Sequence, residues 1–408
     1  MIRNTGRTAF GILVLVCIAG LALLQYKVLN GREPTAGTVR AAPSSSSSSF
    51  VPGDMRIQYL SSEEISVVPA FLVMSDDDVL WMPEFGAPSA DFKSSQNYIC
   101  SYEIRSGRLE RFKLPDSFGN GGVAADDGKG HVWVAWNRNL VRFDKSSHDS
   151  EEYIVPEGLY QVSESSREQG VINYVRSMVV GSDGRIWMAH SFLHSLTAFD
   201  PGTGHFQEVE LPKAFGAPHQ IAANGSCDDL WITVGEADGR STTLDRVGHY
   251  VISAARFESV PALASVVAVE TDGDAVYQER EGPGRLRRLS RESMEKPSAE
   301  FASVGGPDNY VSLLATGRSG SVWSAVSGAI LRVKGDGTTD SFRLPQSTKT
   351  GRRRRGPLVP NADGSLRNSA EDIISRSIPW CVDAMVVDSE DNLWFYDQMR
   401  RRFGVVRP

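Results

Sequence analysis

The chain has 408 residues, a net charge of −7 and only four cysteines. A net-negative surface argues against a nucleic-acid binder. Outside the N-terminal apolar run the cysteines are Cys100, Cys227 and Cys381, an odd number with no CxxC pair and no cysteine–histidine metal spacing, so Cys227 and Cys381 read as small buried apolar residues rather than a bridge.

Arg3 and Arg7 precede an apolar run from Ala9 to Leu24. As a helix with its flanks it spans roughly 27 Å, close to the hydrocarbon thickness of a bilayer. No small-residue cleavage site follows it directly, so residues 1–29 are expected to be a cytoplasmic tip and an uncleaved transmembrane signal anchor, with a cleaved signal peptide as the alternative. Residues 30–50 carry Pro, Gly, Ala and six consecutive serines. They bury too little to offset ordering entropy and form a flexible linker. The large domain, 51–408, is then expected outside the cytoplasm, periplasmic or extracellular, with the membrane as one partner through the helix.

Within that domain one unit recurs. Its clearest copy runs from Gly181 to Pro212. An acidic-glycine turn, Asp183-Gly184, leads into a short strand centred on Trp187. A second strand ends at Phe199-Asp200. Pro201-Gly202-Thr203-Gly204 is a hairpin turn, and a last strand stops at Leu211-Pro212. With the apolar strand Tyr174–Val180 before it, the unit has four antiparallel strands in about 40 residues, the size of a propeller blade. The anchor aromatic returns as Trp81, Trp133, Trp187, Trp231, Tyr277, Trp323 and Trp394, most copies following a turn of acidic, glycine or serine residues. Four units close on Leu114-Pro115, Val155-Pro156, Leu211-Pro212 and Leu344-Pro345. Proline ends a ladder because it has no N–H to donate. Seven copies predict an all-β, seven-bladed β-propeller of four-stranded antiparallel blades.

The two ends predict how the ring closes. Met55–Leu60 is an amphipathic strand with no blade before it, while the last unit has only three strands, Cys381–Val387, Leu393–Tyr396 and Phe403–Val406. The first strand is expected to complete the last blade, which removes two sheet edges. Two insertions, 161–170 and 346–377, break the rhythm. The second carries Arg352-Arg353-Arg354-Arg355, which reads either as a phosphate or acidic-surface contact or as a solvated loop tip.

The segments Asp391-Asn392-Leu393-Trp394-Phe395, Phe199-Asp200-Pro201-Gly202-Thr203-Gly204 and Pro218-His219-Gln220-Ile221-Ala222 with Leu230-Trp231-Ile232-Thr233 resemble the repeats of the streptogramin B (virginiamycin B) lyase family. The resemblance spans about residues 50–408. It implies a seven-bladed ring that opens a cyclic depsipeptide by β-elimination, with Mg²⁺ at the central site and a histidine base. His219 matches that base. In the blade that would carry the family's Glu-x-His pair this sequence has Tyr277-Gln278-Glu279-Arg280-Glu281, with no histidine. Arginine does not serve as a general acid.

Strand alternation places the remaining candidates. Aligned on their anchors, the inner strands put Ala70, Gly121, Arg176, His219, Ser265, Ser312 and Asp383 at one level of the channel. Arg176, His219 and Asp383 there form a cation, a base and an acid. Each also has a plainer role, as a hydrogen-bonded channel histidine or an ion pair. The anchor strands end at Glu84, Trp136, His190, Val234, Arg280, Val326 and Asp397. Glu84 and Asp397 are candidate metal ligands or solvated carboxylates. Arg280, His190 and Trp136 are candidate ligand contacts, or for the two rings ordinary packing. The functional expectation is a tethered propeller binding a small molecule or peptide in its channel. A non-catalytic sensing or protein-binding propeller and a metal-dependent lactonase are the alternatives.

Overall fold

Strand β1 (Ile57–Tyr59) stands apart in sequence from the sheet it joins. After it come β2 (Val73–Met74), β3 (Val79–Pro88), β4 (Ser95–Glu103) and β5 (Arg108–Lys113), which form blade 1. Blade 2 is β6 (Val123–Asp126), β7 (His131–Trp136), β8 (Asn139–Asp144) and β9 (Ser150–Ile154). Blade 3 is β10 (Val175–Val180), β11 (Ile186–His190), β12 (Ser195–Asp200) and β13 (His205–Glu210). Blade 4 is β14 (Ala217–Ala223), β15 (Asp229–Ala237), β16 (Thr242–Val251) and β17 (Arg256–Pro261). Blade 5 is β18 (Ala264–Val269), β19 (Ala275–Glu279), β20 (Arg285–Leu289) and β21 (Glu300–Ser303). Blade 6 is β22 (Leu313–Thr316), β23 (Val322–Val326), β24 (Ala329–Val333) and β25 (Thr339–Arg343). A short hairpin, β26 (Leu358–Pro360) with β27 (Leu366–Asn368), precedes blade 7, which is β28 (Val382–Val387), β29 (Leu393–Asp397), β30 (Arg402–Val406) and β1.

This computed structural model describes residues 56–60, 69, 71–88, 95–116, 122–160, 175–190, 193–213, 215–224, 227–237, 242–262, 264–279, 285–292, 300–303, 313–326, 328–344, 358–360, 366–368, 382–397, 400 and 402–408. The apolar run 9–24, the serine linker and the four-arginine run lie outside them. No helix among the described residues is long and apolar enough to cross a membrane.

The inner strands β2, β6, β10, β14, β18, β22 and β28 touch in that order, and β28 returns to β2, so seven antiparallel sheets close a ring. Closure is as the ends predict: β1 pairs antiparallel with β30, Ile57 opposite Val406 and Tyr59 opposite Gly404. The repeating motif has a physical cause at each of its parts. The six anchor tryptophans are buried and pack onto the following blade, as Trp81 does with Val132 and Phe143, or Trp394 with Leu80 and Tyr102. In three blades the acidic turn residue accepts the indole N–H: Trp133 Nε1 to Asp127 at 3.2 Å, Trp187 Nε1 to Asp183 at 3.3 Å, Trp394 Nε1 to Asp388 at 2.9 Å. A buried indole N–H needs such an acceptor, so turn and anchor recur together. The terminators work in the same way. Leu114, Val155, Leu211 and Leu344 are buried and donate a last backbone bond, to Asn97, Arg138, His194 and Gly328, before the proline stops the ladder.

Blade 5 corrects the anchor reading. Tyr277 packs back among the residues around Trp231, and Val276 faces blade 6 with Leu286 and Val322. Val276 therefore holds the anchor place, because side chains alternate and a slip of one residue changes the face. The strand-end residue of this blade is accordingly Glu279, not Arg280, which lies outside the described residues.

The chain direction gives the ring two unlike ends. Inner strands begin at the end where blades are linked and finish at the acidic turns. Both sequence insertions join an outer strand to the next inner strand, so both attach at the linker end.

Candidate functional site

The inner strands are not regular where the candidates fall. In β10 the pairing with β11 shifts between Val175 and Ser177, which leaves Arg176 as an extra residue. In β14 it shifts between Pro218 and Gln220, leaving His219. In β18 it shifts between Ala264 and Val267, over Ser265, and in β28 between Val382 and Ala384, leaving Asp383. All four bulges sit at the same register, opposite His190, Val234, Glu279 and Asp397, which end the second strand in blades 3, 5 and 7 and stand three residues before its end in blade 4. A bulge re-aims a side chain and recurs at barrel rims beside functional sites. Among the described residues, the expected level of Arg176, His219, Ser265 and Asp383 is thus a row of bulges in four blades. Ala70, Gly121 and Ser312 lie outside the described residues.

The residues after the bulges fasten neighbouring blades. Ser177 Oγ donates to the Ile221 carbonyl at 3.0 Å and accepts the Ile221 N–H at 3.2 Å. Gln220 N–H, freed from the ladder by the bulge, donates to Thr233 Oγ1 at 3.1 Å, while Gln220 Oε1 accepts the Val267 N–H at 3.0 Å. Blades 3, 4 and 5 are held together directly beneath Arg176 and His219.

His219 is partly buried, and among the described residues its Nδ1 meets no hydrogen-bond partner. Burial, then the nearby Arg176 guanidinium, pushes its pKa down to about 4. At neutral pH it is an uncharged imidazole beside a permanent cation. His190 is fully buried, its ring edge-on to Tyr160 with centroids 6.0 Å apart, and burial brings its pKa to about 4 as well. Its two ring nitrogens meet no hydrogen-bond partner among the described residues. Trp136 is fully buried in the apolar core between blades 1 and 2. Neither ring is presented at the rim.

The two carboxylates considered for metal are both engaged. Glu84 Oε2 forms an ion pair with Arg111 Nη2 at 2.8 Å. Asp397, fully buried, accepts the Tyr59 hydroxyl at 2.8 Å and Arg400 Nη1 at 2.6 Å. Among the described residues no three His, Cys, Asp or Glu side chains gather as a metal cluster would require. The Arg176 guanidinium beside the His219 imidazole repels a divalent ion, and among the described side chains the donor set does not fit Mg²⁺. A separate cleft of about 330 Å³ opens at the turn end between β22, β28 and β2, lined by Met74, Thr316, Met385 and Ser389 and crossed by the Arg318–Asp76 ion pair. It stands at the opposite end from the bulges.

The histidines give the fold a pH dependence. Unfolded, both titrate near 6.5. Between pH 6.5 and 4 the unfolded chain takes up protons that the folded chain refuses. Stability is therefore complete above about pH 6.5 and falls as pH drops towards 4, by on the order of 3 kcal/mol for each histidine. His190→Leu removes one such site together with two unsatisfied nitrogens. Thermal melts of this variant are expected to lose fewer degrees than the parent between pH 7 and 4.5; an equal loss would refute the assignment.

No protein-family model matches the sequence, and no curated protein is significantly similar to it. Solved structures match the fold. A catalytically inactive virginiamycin B lyase from Staphylococcus aureus, solved with quinupristin, superposes with a TM-score of 0.58 at 14% identity, covering 86% of this chain and 98% of the lyase. A streptogramin B lyase gives 0.54 at 15% identity over 83% and 92%. The extracellular domain of a hybrid two-component system from B. thetaiotaomicron gives 0.53 at 12% identity, covering 87% of this chain and 42% of that one. In fold, the chain is a seven-bladed propeller similar to the streptogramin B lyases.

Proposed function

We propose that this chain is an exported, membrane-tethered propeller that binds a ligand at the bulged mouth of its channel and does not carry out metal-assisted elimination. The observation that carries the reading is the row of in-register bulges bearing Arg176, His219, Ser265 and Asp383. Arg176 supplies a charge-assisted donor, and the neutral imidazole of His219 supplies one donor and one acceptor. Together they suit a ligand with clustered carbonyl or carboxylate oxygens, such as a peptide or depsipeptide. The apolar run behind Arg3 and Arg7, followed by a serine linker, supports tethering outside the cytoplasm.

Elimination needs a base near working pH and a partner for the developing enolate. His219, with its pKa at about 4, is a weak base, and the described donors do not hold Mg²⁺. Quinupristin is the probe. Calorimetry is expected to show binding that Mg²⁺ does not change and that His219→Ala and Arg176→Ala each weaken about tenfold. Chromatography is expected to show no ring-opened isomer. Ring-opened product, or a failure to bind, would overturn the reading.

A further inference from the structure

We propose that Ser177, Gln220 and Thr233 are the positioning residues of the channel mouth: they clamp the blade 4 bulge from three sides and hold His219 beside Arg176. The inference rests on the reading of the bulged mouth as a ligand site and names what sets its geometry. Ser177 and Gln220 directly follow Arg176 and His219 and occupy the same place in neighbouring blades. Each is the first paired residue after the bulge and faces the residue two beyond the anchor, Ser177 opposite Ala189 and Gln220 opposite Thr233. The counterparts in blades 2, 6 and 7 are Val123, opposite Ala135, Leu313, opposite Ala325, and Ala384, opposite Tyr396. Each of these belongs to the apolar core shared with the following blade. The ordinary occupant of this place is thus apolar, and the polar exceptions stand in the two seams that flank blade 4.

An inner strand has no neighbour on its bore side, so some of its N–H and C=O groups lack a ladder partner. At Ile221, two residues after His219, the single hydroxyl of Ser177 meets both groups, the carbonyl at 3.0 Å and the N–H at 3.2 Å. Gln220 repeats the device one blade on, where its Oε1 accepts the Val267 N–H at 3.0 Å. The N–H of Gln220, turned out of the ladder by the bulge, goes to Oγ1 of the fully buried Thr233 at 3.1 Å. Blade 3 is bulged at the same register and has Ala189, with no hydroxyl, where blade 4 has Thr233. Burying a hydroxyl or an amide in a seam that an apolar side chain fills elsewhere costs desolvation, which the hydrogen bonds offset. Stability alone therefore does not select these residues. What they add is geometry. Ser177 carries Arg176 on one side and grips the strand of His219 on the other, so one hydroxyl fixes the guanidinium relative to the imidazole. Departures of this kind from the local packing rule are expected at functional sites.

The test reads His219 directly, by NMR of the full chain labelled with ¹³C-histidine; the ring signal missing from His219→Ala is the one to follow. Between pH 7.5 and 5 it is expected to stay nearly still in the parent, because burial and Arg176 hold the pKa at about 4. In Thr233→Val, Ser177→Ala and Gln220→Met the signal is expected to move within that range, as the ring leaves the guanidinium and meets water. Quinupristin binding is expected to weaken about three- to tenfold in each. Ser177→Thr, which keeps the hydroxyl, is expected to match the parent in both readouts. Val123→Ala, at the same place in blade 2, is expected to lower the melting temperature and to move neither. Should Ser177→Ala not fold, Thr233→Val, which removes the hydroxyl at nearly constant shape, decides. A signal that stays still in the folded variants, or one that moves as far in Val123→Ala, would overturn the proposal. The titration needs no ligand. If the parent fails to bind quinupristin, the ligand reading falls and the His219 signal still decides the clamp.

Discussion

Deleting Arg56–Leu60 from the full chain is expected to lower the melting temperature by about 10 °C or more, whereas deleting Ser44–Ser49 shifts it by about a degree at most. The first deletion removes β1, the outer strand of blade 7. Its ladder to β30 is lost, and with it the contact of Tyr59 edge-on to Phe395, ring centroids 5.8 Å apart. Loss of the Tyr59 hydroxyl also leaves Asp397, a fully buried carboxylate, with one hydrogen-bond donor fewer. Each ladder bond contributes about 1 kcal/mol net, and a buried acceptor deprived of its donor costs about 1–3 kcal/mol. The sum is on the order of 5 kcal/mol, at roughly 2–4 °C per kcal/mol for a large domain. The deletion also exposes the edge of β30, so aggregation on heating is expected to rise. Light scattering and differential scanning calorimetry measure both. A deleted chain that melts like the parent would show that the ring closes without this strand.

The sequence carried most of this architecture because the motif parts are coupled by chemistry. An indole that must be buried needs an acceptor for its N–H, so Asp127, Asp183 and Asp388 travel with Trp133, Trp187 and Trp394. A leucine that gives the last ladder bond travels with the proline that ends it. Where the coupling is absent the reading slipped. Val276 has no N–H to satisfy, and the neighbouring Tyr277 took its place in the count although it faces the other way. One residue of phase is invisible when both candidates are apolar.

The site was legible in part for the same reason. Alignment on the anchors put Arg176, His219, Ser265 and Asp383 at one level, and the register shifts fall at that level. Nothing in the residues announces the bulges themselves, since none contains a glycine at the shifted position. Burial was not legible either. His190 and Trp136 end their strands as expected, but whether a strand-end ring faces the mouth or a neighbouring blade depends on packing across blades. The ion pairs of Glu84 with Arg111 and Asp397 with Arg400 were equally hidden. Arg111 lies two strands away from Glu84, a relation that exists only once the sheet has formed.

Asp391→Ala is expected to destabilise the domain by roughly 3–5 kcal/mol, the cost of leaving a buried cation without its carboxylate. Asp391 sits in the turn of blade 7 with a left-handed φ of 67° and reaches into the turn of blade 6. It accepts Ser319 Oγ at 2.8 Å and Ser321 Oγ at 2.9 Å, and it pairs with the guanidinium of Arg332, whose side chain is only 17% exposed. On the other flank Ser389 of the same turn donates its N–H to Asp78 of blade 1 at 3.0 Å. Blade 7, which the two chain ends share, is thus fixed at its turn to both neighbours. The carboxylate lies so close to Gly317 that a Cβ there would stand 1.8 Å from Asp391 Oδ1 and 2.7 Å from Ser321 Oγ. The requirement for glycine is steric closeness, not a positive φ. Gly317→Ala therefore expels the carboxylate and is expected to cost as much as Asp391→Ala by itself. The two substitutions should not add: with the carboxylate gone, only the Ser321 hydroxyl, freed from its bond to Asp391, has to turn aside for the methyl group, so the double variant is expected to be about as stable as Asp391→Ala alone. Urea melts of the four proteins measure the cycle, and additive losses would mean that Gly317 is needed for some other contact.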